Sequence, residues 1–342
     1  YISETLYEET SSPLTVNGVH LNAFGNEAIA KAIILELHGD VALGSIDMIR
    51  AAVLDKNWCW FNRYRATDGN DVWGSRAVLD FVDDQTNGEV LQHELVMLDT
   101  MTANRDKVIW TANFGEVRVP DDSNVPPPVF VETNIEPRPE KRAADGGHAF
   151  VPPSEGPETL KLEQGMVANL FASEEEFPDL INPVQMSVDP KGRLFVGTWN
   201  SYPHWKPGDA MNDKLLILED QDGDGKADRC KTFADKLHNP TGFEFWGGGV
   251  IVAMVPDILF LKDTDGDDVA DQRIRILHGL SSGDTHHSAN SFVVGPDGAV
   301  YFQEGIFHRT QIETPYGPIR NKNGCVWRFD PRSYQVQRYI PY

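Results

Sequence analysis

Hydrophobic and polar residues follow different patterns in the two halves of the chain. In the N-terminal part, apolar residues recur at helical spacing, which predicts α-helices. Three segments show this pattern: NEAIAKAIILEL from Asn26, after Gly25; SIDMIRAAVLDKN, with Ser45 as the expected N-cap; and a segment from Glu89 in which Leu91, Leu95 and Leu98 keep helical spacing. These elements are too few for a complete α/β domain.

In the C-terminal part, short apolar runs alternate with turns of Gly, Asp and Pro, which predicts β-strands. The runs fall into groups of four. The first group is PVQMSVD, RLFVGTW, KLLILE and RCKTFA, and the second is TGFEFW, GVIVAM, DILFLK and QRIRIL. A third begins with NSFVVG and AVYFQ and continues through CVWRFD to VQRYI.

The groups repeat at a fixed distance. KLLILEDQDGDGKADRCKTF is echoed by DILFLKDTDGDDVADQRIRIL, and their first loop aspartates, Asp220 and Asp263, are 43 residues apart. A period of ~40–50 residues is typical of β-propeller blades. We therefore predict a mainly β fold, a partial β-propeller of about three four-stranded blades preceded by a helical segment and a Pro-rich linker. Closure needs ~4–8 blades, so we expect the chain to be a fragment.

The Pro-rich linker divides the chain. Nine of the 22 prolines fall between residues 120 and 157, a composition that disfavours any regular element. We therefore assign residues 41–115 to a helical spacer, 116–157 to the linker and 158–342 to the N-terminal half of the propeller.

Charge and composition exclude several partners. Thirty basic against 52 acidic residues give a net charge of −22, which repels phosphate backbones, so we expect no nucleic acid. No apolar run approaches the ~20 residues of a membrane helix, so we expect no membrane span. The three cysteines, Cys59, Cys230 and Cys325, form neither CxxC nor CxxCH and are expected to be buried thiols.

Loop positions predict where the polar residues of the blades gather. In a four-stranded meander, the loops before the first strand and after the second lie on one face, which we call the mouth. His238, His286 and His287 precede first strands, and His204 and Glu304 lie between second and third strands. Imidazoles beside a carboxylate suit proton abstraction from an alcohol, because His titrates near neutrality. The alternative is that these histidines only pack in turns.

Two aspartate-rich loops are predicted on the opposite face. Their carboxylates alternate along the chain in the pattern D-x-D-x-D-x3-D: Asp220, Asp222, Asp224 and Asp228 in the first loop, and Asp263, Asp265, Asp267 and Asp271 in the second. Such oxygen ligands suit Ca²⁺, and calcium-binding loops favour an extracellular setting. The flanking strands exclude an EF-hand. A solvated hairpin turn is the alternative, and Asp268 in place of Gly225 favours the first loop as a site.

The N-terminal stretch NGVHLNAFG resembles the last block of SGNH/GDSL-type hydrolases, Asp-x-x-His-x-x-x-x-Gly. By this resemblance residues 1–40 are the tail of such a domain and His20 is its catalytic base, but Asn17 stands in the Asp position and no GDS-type serine block precedes it. We therefore expect no esterase activity from this chain alone.

The segments NLFASEEEFPDLINPVQMSVDPKGRLFVGTWNSYPHWKPGD, LHNPTGFEFWGGGV and GDTHHSANSFVVGPDGAVYFQEG resemble the PVC-type putative membrane-bound dehydrogenase family, whose propeller is similar to that of quinoprotein sugar dehydrogenases. The resemblance implies an exported protein, periplasmic or at the cell surface. It implies oxidation of a sugar or related alcohol, with electrons passed to a cytochrome-type acceptor. Haem c would lie in a downstream module absent from this chain.

The same resemblance implies roles for individual residues. His286 or His287 would take the substrate proton, while pyrroloquinoline quinone accepts hydride. The quinone would be held by His204, Lys206 and Arg309, with Arg320 in a suitable loop. Two rival functions stay open: a hydrolase whose propeller binds carbohydrate, and a non-catalytic propeller that docks a partner protein.

Overall fold

The structure, a computed structural model, describes residues 2–40, 46–64, 69–82, 84–131, 151–202 and 205–341. The expected cap Ser45 and the candidate quinone ligand His204 lie outside these residues. Among the described helices, none combines the length and the apolar character needed to cross a membrane.

The N-terminal part is helical, as predicted. Its helices are α1 (Ile2–Glu9), α2 (Ala23–His38), α3 (Ile46–Tyr64), α4 (Gly69–Trp73) and α5 (Asn87–Asn113), and a short hairpin of β1 (Asp80–Val82) and β2 (Gln85–Thr86) precedes α5. Helix α2 begins earlier than predicted, because the Asn22 side chain caps it by accepting a hydrogen bond from the Gly25 amide. Helix α5 begins with a capping box formed by Thr86 and Glu89.

Helices α3 and α5 pack around a small apolar core of Cys59, Leu98 and Met101. An ion-pair cluster on Arg105 supplements this core. The expectation that the linker has no regular element is wrong at its end, where Pro153–Thr159 forms a 3₁₀ helix. Proline at its start is compatible with that helix, because an N-terminal position needs no amide donor.

The C-terminal part forms three four-stranded antiparallel sheets, each with its strands in chain order. The first sheet contains β3 (Pro183–Val188), β4 (Leu194–Thr198), β5 (Asp213–Glu219) and β6 (Arg229–Leu237), and the second contains β7 (Gly242–Trp246), β8 (Gly249–Met254), β9 (Asp257–Lys262) and β10 (Gln272–His278). The third contains β11 (Asn290–Val294), β12 (Val300–Glu304), β15 (Cys325–Asp330) and β16 (Gln335–Pro341). The prediction of a mainly β chain with four strands per repeat is confirmed.

The sheets pack face to face through large apolar side chains. Phe195 of the first sheet lies 5.1 Å, ring to ring, from Phe245 of the second. The first strands of successive sheets are neighbours. The Gln185 side chain exchanges two hydrogen bonds of 2.8 Å with the backbone of Phe243, and Thr241 just before β7 donates to the carbonyl of Ala289 just before β11. The first strands of the three sheets therefore lie side by side.

A hairpin that the sequence pattern did not predict, of β13 (Arg309–Ile312) and β14 (Ile319–Lys322), is inserted between the second and third strands of the third sheet. Thr310 and Ile312 are buried, whereas Arg309 and Gln311 are exposed. The hairpin thus has one covered face and one open face, as period-2 alternation requires.

On the face opposite the mouth, loops of two sheets are joined by an ion-pair cluster. Arg193, just before β4, contacts Asp189 at 2.9 Å and Asp268 at 2.7 Å, and Lys231 of β6 also binds Asp268. Asp268 has a φ of 67°, a conformation that favours glycine, and its side chain binds both of these cations. Asp268, which stands where the first loop has Gly225, therefore connects its loop in the second sheet to the first sheet.

Candidate functional site

The mouth gathers two of the predicted residues, His238 and His286, around the segment that follows β4. Tyr202 forms a 2.7 Å hydrogen bond to Nε2 of His286 through its hydroxyl. Ser201 Oγ lies 3.4 Å from Nδ1 of His238, whose ring contacts Trp205 at a centroid distance of 5.5 Å. One small cavity is lined by both His238 and Asp284. The structure therefore places His238 and His286 close together and away from the aspartate loops.

His287 carries the arrangement best suited to proton transfer. Its Nδ1 lies 2.8 Å from Oδ1 of Asp284, whose side chain is only 1 % exposed, whereas the His287 side chain is 45 % exposed. An ionised carboxylate can only accept, so Nδ1 carries the proton and Nε2 is left as the basic nitrogen. We refer to these two residues as the Asp284–His287 pair.

Local backbone geometry fixes this pair. Oδ1 of Asp284 also accepts hydrogen bonds from the amides of His286 and His287, at 2.9 and 3.1 Å. On the other side, Gly305 donates its amide to the carbonyl of His287. A Cβ at position 305 would lie 2.8 Å from Cβ of His287, so glycine is needed for this close approach.

The helical segment completes the site. Arg76 donates to Asp71 at 2.8 Å and to Oδ2 of Asp284 at 3.0 Å. The amides of Gly69 and Asn70 bind the carbonyls of residues 282 and 283, directly before Asp284. Both oxygens of the buried carboxylate therefore have partners, one from each part of the chain.

Electrostatics keep Asp284 ionised. Burial opposes its charge, but the hydrogen bond and charge of His287, the backbone amide and Arg76 together hold the pKa of Asp284 below its ordinary value. The group that orients His287 is therefore an acceptor at neutral pH.

Glu304 and His308 lie inside the third sheet rather than in the open mouth. Glu304 is 4 % exposed and accepts hydrogen bonds from Thr310 and from Nε1 of Trp327, at 2.7 and 2.8 Å. Burial raises the pKa of Glu304. His308 is fully buried, and this burial is the largest of the effects that lower its pKa. Glu304 therefore supports the sheet and does not face the mouth histidines.

His20 lies outside the mouth. Its Nδ1 contacts the side-chain amide of Asn17 at 2.9 Å, and its Nε2 lies 3.6 Å from Glu313, which follows β13. An amide can orient an imidazole, but it does not stabilise the imidazolium as a carboxylate does. This part of the chain is thus placed against the hairpin of the third sheet.

The predicted quinone ligands do not converge. Arg309 lines a cleft beside the hairpin. Lys206 lies elsewhere: its backbone amide donates to Asp209, and the charge of its side chain acts on Glu94 of α5. Burial, partly offset by Lys206, raises the pKa of Glu94 to about 7. A quinone with three carboxylates needs a converging set of cations, and at the mouth Arg76 already pairs with two acids. The described residues do not fit this cofactor, so no step is assigned to it.

The two aspartate loops have matching geometry. Carboxylate oxygens of Asp220, Asp222 and Asp224 lie within 4.8 Å of one another, and so do those of Asp263, Asp265 and Asp267. The last aspartates, Asp228 and Asp271, instead accept hydrogen bonds from the amides of residues 221 and 264. Three of the four carboxylates in each loop can therefore face one cation.

Asp284 and Arg76 are the site residues that the sequence reading missed. Asp284 stands three residues before His287 in GDTHH, a spacing at which an aspartate can accept from the following amides. That signal was available from the sequence. Arg76 gave no signal, because its partner is 208 residues away.

The C-terminal part of the chain is thus a series of four-stranded antiparallel sheets, and the loops at one end of these sheets carry His238, His286 and His287. Residues 152–340 match the family described as a domain of unknown function (DUF7133). The match covers more than half of the chain, which therefore belongs to this family. No curated protein matches the chain.

Proposed function

We propose that the chain is part of a β-propeller protein of the dehydrogenase type that oxidises a sugar or related alcohol. The observation that carries this proposal is the buried Asp284 carboxylate on Nδ1 of the half-exposed His287. Such a pair provides a neutral base that can accept a hydroxyl proton and then shares its positive charge with the carboxylate. His286, held by Tyr202, and His238 flank it.

The propeller itself belongs to this proposal. The contacts between first strands of neighbouring sheets and the strand order of each sheet support successive blades around an axis. The mouth would then be one end of the central channel, which is a usual place for a site in this architecture.

The reaction separates into two transfers. The hydroxyl proton passes to Nε2 of His287, and the carbinol hydrogen leaves with two electrons as hydride to a quinone-type two-electron acceptor, which the assay must add. A cytochrome-type partner would then receive the electrons one at a time from the reduced acceptor. The resemblance to exported dehydrogenases favours a location in the periplasm or at the cell surface.

Calcium is proposed at the two aspartate loops. The support is the same three-carboxylate arrangement in both loops, with oxygen ligands at alternate positions. The first ion would be bound by Asp220, Asp222 and Asp224 and would stabilise the loop that connects β5 to β6.

The test supplies the electron acceptor. Purified protein is incubated with Ca²⁺, a sugar and a redox dye, with and without added pyrroloquinoline quinone, and ester cleavage is measured in parallel. The proposal predicts sugar-dependent dye reduction that His287→Gln lowers by ~10²–10⁴-fold, while the exposed control His38→Gln has no effect. Ester cleavage without dye reduction would favour the hydrolase, and inactivity in both assays would favour the docking propeller.

A further inference from the structure

A cleft of about 640 Å³ lies between the helical segment and the β13–β14 hairpin. Its walls include Arg63, Tyr64 and Trp73 on the helical side and Arg309, Gln311 and Glu313 on the hairpin side. Its floor is the segment of residues 279–283, which leads directly to Asp284. We call this the hairpin cleft.

The hairpin presents an unusual concentration of positive charge. Arg309 pairs directly with Lys322 across the two strands, and Gln311 pairs with Arg320. Because period-2 alternation buries Thr310 and Ile312, these cations share the exposed face. Like charges directly opposite destabilise an antiparallel pair.

These cations are not neutralised by the protein. Within the described residues, no carboxylate lies within 4.0 Å of the charged groups of Arg309, Arg320 or Lys322. Among the described residues, the Arg320 side chain donates a hydrogen bond to the Gln311 side-chain oxygen, at 2.7 Å. Although the chain has a net charge of −22, the local field of this patch is positive and attracts anions.

The opposite wall supplies flat aromatic surface. Trp73 is 58 % exposed at the end of α4, and Tyr64 is exposed at the end of α3. An exposed aromatic face beside hydrogen-bonding side chains suits the apolar face and hydroxyl groups of a sugar ring. Gln311 and the backbone of the floor provide such polar groups.

We propose that the hairpin cleft binds an acidic saccharide, carboxylated or sulfated, with its anionic group on Arg309 and a sugar ring against Trp73. An acidic saccharide would thus be the substrate class of the proposed function. Binding in the cleft does not depend on that function, whereas the oxidation that follows binding rests on it. The cleft shares the segment before Asp284, so a bound oligosaccharide can extend toward the Asp284–His287 pair.

The test is a binding measurement that needs no electron acceptor. Isothermal titration calorimetry compares trigalacturonate with neutral cellotriose on the purified protein. We expect binding of the acidic ligand, and Arg309→Gln should weaken it by at least ~10-fold, because a hydrogen bond to a charged group contributes ~1.5–3 kcal/mol. Trp73→Ala should weaken both ligands, and Arg229→Gln, an exposed arginine on β6, should change neither.

Two results would overturn the inference. One is equal affinity for the acidic and neutral trisaccharides, and the other is unchanged binding of trigalacturonate by Arg309→Gln. Displacement of trigalacturonate by a stoichiometric amount of pyrroloquinoline quinone would also overturn the saccharide assignment. Intact Arg309-dependent binding without dye reduction would instead contradict only the proposed oxidation.

Discussion

Nη1 of Arg76 lies 3.0 Å from Oδ2 of Asp284, a buried carboxylate of the C-terminal part. The other oxygen of that carboxylate holds His287. A side chain of the helical segment therefore acts on the mouth through one intermediate, and the helical segment is part of the site rather than a spacer beside it.

Removing Arg76 should alter the pH dependence of the reaction. Arg76 is one of the interactions that hold the pKa of Asp284 below its ordinary value. In Arg76→Gln we expect dye reduction to fall about 10-fold and acid inactivation to begin at a higher pH, because an Asp284 that protonates more easily stops orienting His287. Arg76→Lys keeps the charge and should give an intermediate profile.

The control for that experiment is Arg118→Gln, which removes an exposed guanidinium that pairs with the nearby Glu116. A lower rate in Arg76→Gln with an unchanged pH profile would show that Arg76 has a structural role only.

The strands could be predicted because each blade carries its own local signal. Apolar runs such as KLLILE are bounded by turns, and the structure places β5 at Asp213–Glu219. The β13–β14 hairpin was missed because its polar exposed face hides the alternation. The Arg193–Asp268 pair and the Arg76–Asp284 pair join residues far apart in sequence, so no local pattern signals them.

Asp268 should make the stability of the protein sensitive to strong acid. Its hydrogen bonds to Lys231 and Arg193 lower its pKa to about 2. A carboxyl with a depressed pKa stabilises the fold above its unfolded pKa of ~3.8, and this stability is lost as the pH falls toward 2. Asp268→Asn should lower the free energy of unfolding by about 1–2 kcal/mol at pH 7.

Urea denaturation at several pH values measures this effect. The difference between Asp268→Asn and the unchanged protein should disappear near pH 2. Asp265→Asn, in the same loop and measured with EDTA present, serves as the control and should be neutral. A destabilisation by Asp268→Asn that stays constant down to pH 2 would argue against the ion pairs as its cause.

His308 should cause a loss of stability in mild acid. Burial lowers its pKa, so the folded state keeps it neutral while the unfolded chain takes up a proton below pH ~6.5. Each pH unit below this value should cost up to about 1.4 kcal/mol. Thermal denaturation of His308→Leu between pH 7 and 5 should show a flatter pH dependence. An unchanged slope would mean that His308 is not the responsible group.

Calcium binding predicts sensitivity to chelation. EGTA should lower the melting temperature, by roughly 2–4 °C for each kcal/mol of ion binding. Asp222→Ala should remove the part contributed by the first loop, whereas the exposed control Glu175→Gln should keep the full response. An identical melting temperature with and without EGTA would refute calcium at these loops.

The sequence predicts which residues lie near the site, but it does not predict the direction of every side chain. The prediction that His238 and His286 lie at the same end of the sheets was possible because the end at which a loop lies depends only on the number of strands before it. The same rule also assigned Glu304 to that end, but the side chain turns inward to Trp327. Side-chain direction at the end of a strand depends on packing, and a pattern of residue types does not contain it.

The protonation of His287 tests the central claim most directly. A two-bond ¹H–¹⁵N correlation spectrum of the histidine rings, recorded at neutral to alkaline pH and assigned with His287→Gln, shows which ring nitrogen carries the proton. We predict the Nδ1–H tautomer, with Nε2 unprotonated, and the loss of this tautomer in Asp284→Ala. A spectrum in which neutral His287 carries its proton on Nε2 would contradict the Asp284–His287 pair and the proton transfer built on it.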